Sequence, residues 1–161
     1  MRPSYIVVAL ALSLPASTRA QDAELQALRD SIARIESRLY SVTNLFCEYG
    51  EGTFASYEGT VGVAAGPALE PDNTLTPARF TDIDLDSRTA NLSGTQVAVF
   101  RSGPGLNFVE TTPLGSLVLT TVFATVFNNS GAYVAVTSRH IGSIAGAPPF
   151  PSQYHGSCTP F

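Results

Sequence analysis

The sequence predicts a mainly β protein, an antiparallel β-sandwich or jelly-roll head preceded by an amino-terminal α-helical coiled coil. Three observations predict it. Leu25, Leu28, Ile32, Ile35, Leu39, Val42 and Phe46 follow a 3-4-3-4-3-4 spacing, the seam of a coiled coil. After Gly50 that period disappears, and Gly, Thr, Ser and Val dominate. Short alternating runs then follow, punctuated by turn residues every eight to twelve positions or so, as in antiparallel sheet.

Residues 1–20 read as a secretory signal peptide. Arg2 supplies a positive start, 5–14 is a compact apolar run, and Thr18-Arg19-Ala20 places small residues where a signal peptidase reads. The run falls short of the roughly 20 residues a bilayer needs, and no other stretch approaches a span. A secreted, extracellular protein is expected, with no membrane span.

Residues 22–46 are assigned to the oligomerisation helix. Asp22 is a cap, and Asp22 and Glu24 suit the positive end of the helix dipole. Asp30 and Arg34 form an acid-to-base pair one turn apart. With Leu25 at position a, the a positions read Leu, Ile, Leu, Phe and the d positions Leu, Ile, Val. Branched residues at d with leucine at a lean toward trimers or higher states. The alternative is a single amphipathic helix packed on its own domain. The narrow stripe favours the coil.

Residues 47–161 are assigned to the head. Strands are expected at 53–64, 79–86, 95–101, 106–112, 116–127 and 132–138, with a short final one at 141–144. The run 116–127 is apolar on both faces, the mark of a central strand covered on both sides. Residues 66–77 hold Pro67, Pro71 and Pro77 and read as a loop. The tail 146–161 reads as Pro- and Gly-rich chain pinned by a disulfide.

The chain has two cysteines, Cys47 and Cys158. In an oxidising compartment an intrachain disulfide is the default, and a bond from Cys47 to a neighbouring chain is the alternative. Two cysteines and two histidines make a zinc site improbable.

Asp82, Asp84 and Asp86 alternate with Ile83 and Leu85. In a strand the three carboxylates would share one face. A solvated acidic face, a calcium ion, or arginines from another subunit would each relieve them. An EF-hand is excluded: Ser87 stands where that loop needs Gly, and Ser93 where it needs Glu. Calcium is therefore the one cofactor kept open. Asn91-Leu92-Ser93 and Asn128-Asn129-Ser130 are glycosylation sequons, so Asn91 and Asn128 are candidate acceptors.

No catalytic constellation appears. His140 and His155 have no acid beside them in a suitable pattern, and Gly142-Ser143-Ile144-Ala145-Gly146 is not a nucleophile elbow. The chain is not expected to be an enzyme. Tyr49, Tyr57, Tyr133 and Tyr154 offer flat apolar faces with polar tips, fit for a glycan or peptide site or for partial core burial. The ligand-binding residues are not identified by any motif. Thirteen acids against seven arginines leave the mature chain strongly negative, which argues against nucleic acid as partner.

This stalk-and-head layout is similar to that of C1q-type and H-type lectin-like extracellular proteins, in organisation only. Residues 47–161 carry no signature of either, so no site is transferred. The expected function is a secreted homotrimeric binding protein that takes an extracellular glycan or protein ligand, weak single heads gaining avidity from the stalk. The alternative is a structural coat or matrix protein whose heads self-assemble.

Overall fold

A computed structural model describes residues 16–60, 63–113, 115–127, 130–141 and 149–161, with main chain alone at 16–19, 58–60 and 63–65. The chain divides into two compact units, Met1–Ala33 and Arg34–Phe161.

Helix α1 runs Ala16–Tyr40, a stretch free of Gly and Pro, with Arg38 in its last turn against the negative end of the dipole. It tightens as it ends: the Ser41 and Val42 amides donate to the carbonyls of Arg38 and Leu39, and the Ser41 hydroxyl also donates to Arg38. The helix therefore ends at Tyr40, six residues before the end of the expected 22–46. Val42 lies beyond it and Phe46 lies in a strand, where it pairs with Arg79 and Thr159. The heptad spacing continues across the boundary, but the backbone past Ser41 finds sheet partners instead. The Thr43 carbonyl accepts from the Ile83 amide. Leu39 is fully buried in the core, and Ile35 and Val42 pack against it. The rear of the stripe thus serves an intramolecular core, and no coiled coil extends through Phe46. Leu25, Leu28 and Ile32 remain 47%, 57% and 43% exposed.

Nine strands follow: β1 Leu45–Thr60, β2 Val63–Asp72, β3 Ala78–Asp84, β4 Thr89–Leu92, β5 Thr95–Ser102, β6 Gly105–Thr111, β7 Leu117–Val126, β8 Tyr133–Ile141 and β9 Phe150–Pro160. Each strand from β3 onward pairs antiparallel with the next. β1 closes the ring, bonding β3 through Leu45–Cys47 on one edge and β9 on the other. The far half of β1 pairs with β2 from Gly52 to Thr60, so β1 and β2 form a hairpin arm beyond the ring. The result is one closed, barrel-like antiparallel sheet of eight strands with β2 appended. The expected two-sheet sandwich is not formed. The sheet's edges are removed by β9, which lies in the expected Pro- and Gly-rich tail yet pairs with both β8 and β1.

Two glycines permit that closure. A side chain at Gly156 would strike the backbone of Glu48, and one at Gly52 would strike the Tyr154 ring. Cys47 and Cys158 are direct partners across the same β1–β9 seam, and their disulfide is intrachain. It closes the ring covalently.

Inward positions alternate with outward ones: Val97 and Val99 on β5, Val122 and Ala124 on β7, Tyr133 and Ala135 on β8. Phe80 and Phe108 stack at the centre with ring centroids 4.0 Å apart. β7 is buried on its inner face only. Its outer residues are half-buried among neighbours and not covered by a second layer among the described residues, which corrects the two-sided expectation.

Candidate ligand-binding site at the open end of the barrel

The two ends of the barrel differ. At one end the last turns of α1 close the interior. Leu39 enters the core, and the Tyr40 hydroxyl donates to the Gly103 carbonyl in the β5–β6 turn at 2.9 Å. Arg101 lies over the Tyr40 ring, 4.7 Å from its centroid. The disulfide sits at this end, where β1 begins and β9 finishes.

The other end carries the β4–β5 turn, the β6–β7 turn and the crossing segment 73–77. It opens into a cavity of about 290 Å³. Eight strands leave an interior just wide enough for side chains or one small ligand, and here side chains fill only the helix end. Leu75, Pro77, Phe80, Leu92 and Val118 supply apolar walls. Ser93, Thr95 and Glu110 line it as polar groups, and among the described residues Glu110 is its one charged lining residue.

Three hydroxyls gather on the remaining face. Thr120 and Thr137 are direct partners in the β7–β8 ladder, and only 4% and 2% exposed. Their hydroxyls bond one another at 2.8 Å. Tyr49, on β1, lines the cavity, and its hydroxyl is sealed from water with no hydrogen-bond partner. Burial pushes the Tyr49 phenol up from its ordinary pKa, and the neighbouring Thr137 and Thr120 hydroxyls pull it part of the way back. Those two hydroxyls are close enough to act electrostatically, yet neither completes a bond with adequate geometry. A buried donor left unmade costs about 1–3 kcal/mol, and native proteins keep few of them.

Beside the arm lies a second polar group. The Tyr154 hydroxyl donates to the Asp72 carboxylate and accepts from an Arg139 guanidinium nitrogen at 3.2 Å. Desolvation acts to raise the Asp72 pKa, but hydrogen bonds from Tyr154 and Thr74, together with Arg139, outweigh it and hold the carboxyl below its ordinary value. This chain ties β2 to β9 and β8, an architectural role.

Of the four tyrosines singled out in the sequence, only Tyr49 lines the cavity. Tyr133 and Tyr154 are buried in the barrel, and Tyr57 is half-buried on β1. Asp82, Asp84 and Asp86 are all exposed, with Ile83 buried and Leu85 half-buried between them, although Asp82 has φ +52° and the β3–β4 register shifts at a bulge between Thr81 and Asp84. Asp84 accepts from the Asp86 and Ser87 amides in the following turn. Hydrogen bonds from the Ser87 side chain and backbone, then from the Asp86 amide, lower its pKa. Among the described residues no three His, Cys, Asp or Glu side chains are grouped to hold a metal ion.

Asn91 lies on β4, its side-chain oxygen accepting from the Gly94 amide at 2.7 Å. Asn128 and residues 142–148, which include most of the expected final strand, lie outside the described residues. His140 and His155 are exposed on β8 and β9, and no hydrogen bond joins either to an acid among the described residues. No described helix is long and apolar enough to cross a membrane.

Sequence reasoning missed Thr120 and Thr137. The available signal was the two-residue period of Val118, Thr120 and Val122, which puts a hydroxyl on the inward face of an otherwise apolar strand. Comparison with known proteins leaves the geometry to speak alone: no protein-family model, no curated protein and no solved structure matches the chain.

Proposed function

We propose that this chain is a secreted, extracellular binding protein. Its barrel takes a small ligand at the open mouth, and its amino-terminal helix gathers copies into a trimer. The observation that carries the binding half is the mouth itself. A ready-formed cavity of about 290 Å³, walled by apolar side chains together with convergent polar groups, is a usual form of a ligand site. The disulfide and the leader-like residues 1–20 are compatible with an extracellular location.

Support for the gathering half comes from Leu25, Leu28 and Ile32, which stay exposed on the helix at coiled-coil spacing. That seam is short, and an isolated helix pair of this length is marginal, so contacts elsewhere must help. Three tied heads would turn weak uptake at each mouth into avidity for a multivalent or surface-borne ligand.

The binding half is tested by thermal-shift screening against a chemically diverse small-molecule panel, with Val118→Trp as the filled-mouth control. A compound that raises the wild-type midpoint and not that of the variant supports it. Equal shifts in both proteins, or none at all, overturn it. Light scattering after size-exclusion chromatography tests the gathering half, with a Leu25→Glu/Leu28→Glu double variant alongside. A wild-type trimer that becomes monomeric in the variant is expected, and a wild-type monomer would end that half. Open assemblies growing with concentration would favour a structural coat or matrix protein instead.

A further inference from the structure

We infer that the mouth takes a small organic amine in its charged form, with the Glu110 carboxylate holding the ammonium group. This rests on the reading of the mouth as a binding site and adds the charge of what enters.

The position of Glu110 carries the inference. Leu106, Phe108 and Glu110 stand at every second place along β6, and the first two are buried in the core. Glu110 therefore belongs to the inward row of the strand, half-buried, opposite Val118 in the β6–β7 ladder. A carboxylate on the inward row of a barrel is ordinarily paired, because removing its charge from water is costly. Among the described residues no arginine or histidine lines the cavity to pair with it.

Arg139 stands two strands away, as the β8 partner of Val118. Its guanidinium donates to the Tyr154 hydroxyl, which holds the Asp72 carboxylate in turn. Arg139 and Asp72 offset one another, and the negative charge of Glu110 is left over. A cationic ligand would supply the missing charge. An anionic one would meet a like charge in a partly desolvated place.

The other lining groups suit the rest of such a molecule. An ammonium group brings protons to donate, and the exposed hydroxyls of Ser93 and Thr95 line the same cavity as acceptors. Leu75, Pro77, Leu92 and Val118 offer carbon to a short hydrocarbon body. At about 290 Å³ the space lies at the small end for a ligand pocket, so it suits a compact amine and not an extended chain. The chain as a whole has a formal net charge of −4 at pH 7, which draws cations toward it and repels carboxylates.

The test uses cyclohexylmethylamine, cyclohexylmethanol and cyclohexanecarboxylate, which share a shape and differ in charge. Affinities for the full chain are measured by saturation-transfer NMR titration at neutral pH, where the amine is a cation and the acid an anion. The amine is expected to bind about tenfold more tightly than the alcohol, the gain of one hydrogen bond to a charged group, and the carboxylate more weakly than either. Glu110→Gln is expected to bring the amine to within about twofold of the alcohol and to leave the alcohol unchanged.

Equal affinities for amine and alcohol, or a preference for the amine that persists in Glu110→Gln, would overturn the ligand class while leaving a binding mouth in place. So would the absence of amine binding when a compound of the thermal-shift panel still shifts wild type and not Val118→Trp. No amine binding and no shift by any panel compound would overturn both. Amine binding that survives in both Val118→Trp and Thr95→Trp, each checked for a wild-type circular-dichroism spectrum, would place the amine outside the mouth and overturn its assignment there. Thr95 is exposed at the rim, so its variant keeps the test open if Val118→Trp does not fold.

Discussion

The two ends of the barrel use similar strands for opposite purposes. At the helix end Leu45, Val99 and Leu106 fill the interior, the disulfide joins first strand to last, and Leu39 stoppers the interior. At the mouth, inward positions turn to hydroxyls, one of them unpartnered, and a cavity remains. The difference teaches that stability in this fold is concentrated at one end. The other end is then free to carry an incompletely satisfied, and so chemically receptive, surface.

Perturbations should separate the ends in order of size. Removing the disulfide with Cys47→Ser/Cys158→Ser opens a loop spanning a separation of 111 residues. The chain-entropy relation assigns such a loop about 4 to 5 kcal/mol. Urea unfolding should show that loss, and a loss under about 1 kcal/mol would mean that the seam is held by its ladder alone. Leu39→Ala leaves a hole beneath the plug and should cost about 3 kcal/mol in the same assay. If Leu39→Ala were silent, the helix end would not be the stable end.

Smaller effects belong to the arm and the mouth. Tyr154→Phe deletes the hydroxyl between Asp72 and Arg139 and should cost about 1 kcal/mol. Asp72 has its pKa lowered in the fold, so its contribution is present above the unfolded value and is lost as pH falls through the folded one. The gap in urea midpoint between wild type and Asp72→Asn should therefore close in the acid range below the ordinary carboxylate value of 3.8. A gap that persists at lower pH would remove Asp72 from the latch. Tyr49→Phe should be the mildest, neutral or stabilising by up to about 1 kcal/mol, because it deletes a donor with no partner. A clear destabilisation would mean that the hydroxyl is bonded after all.

The β content, several strand positions and the disulfide were legible in the sequence. β5, β6 and β8 announce themselves by alternation, and Ser102 to Gly105 by its turn residues. β4 was missed, though Ser93 and Gly94 both have positive φ and make the two-residue hairpin turn that serine-glycine signals. β9 was hidden by Pro151, Gly156 and Pro160, which read as loop when considered one by one. Gly156 is there because β1 comes too close for a side chain, a fact only long-range pairing reveals. The helix seam misled at Val42 and Phe46 because periodicity carries no information about where hydrogen bonding changes partner. The mouth was least legible, since it is assembled from β1, β3, β4, β5, β6, β7 and β8, each giving one or two ordinary residues.

The central claim is that stability and binding reside at opposite ends. It is tested most directly by measuring urea unfolding and uptake of a compound found in the thermal-shift screen together on Leu39→Ala and Val118→Trp. The account predicts that Leu39→Ala loses stability and keeps its affinity, while Val118→Trp keeps most of its stability and loses uptake. Parallel losses of both properties in both variants would contradict it.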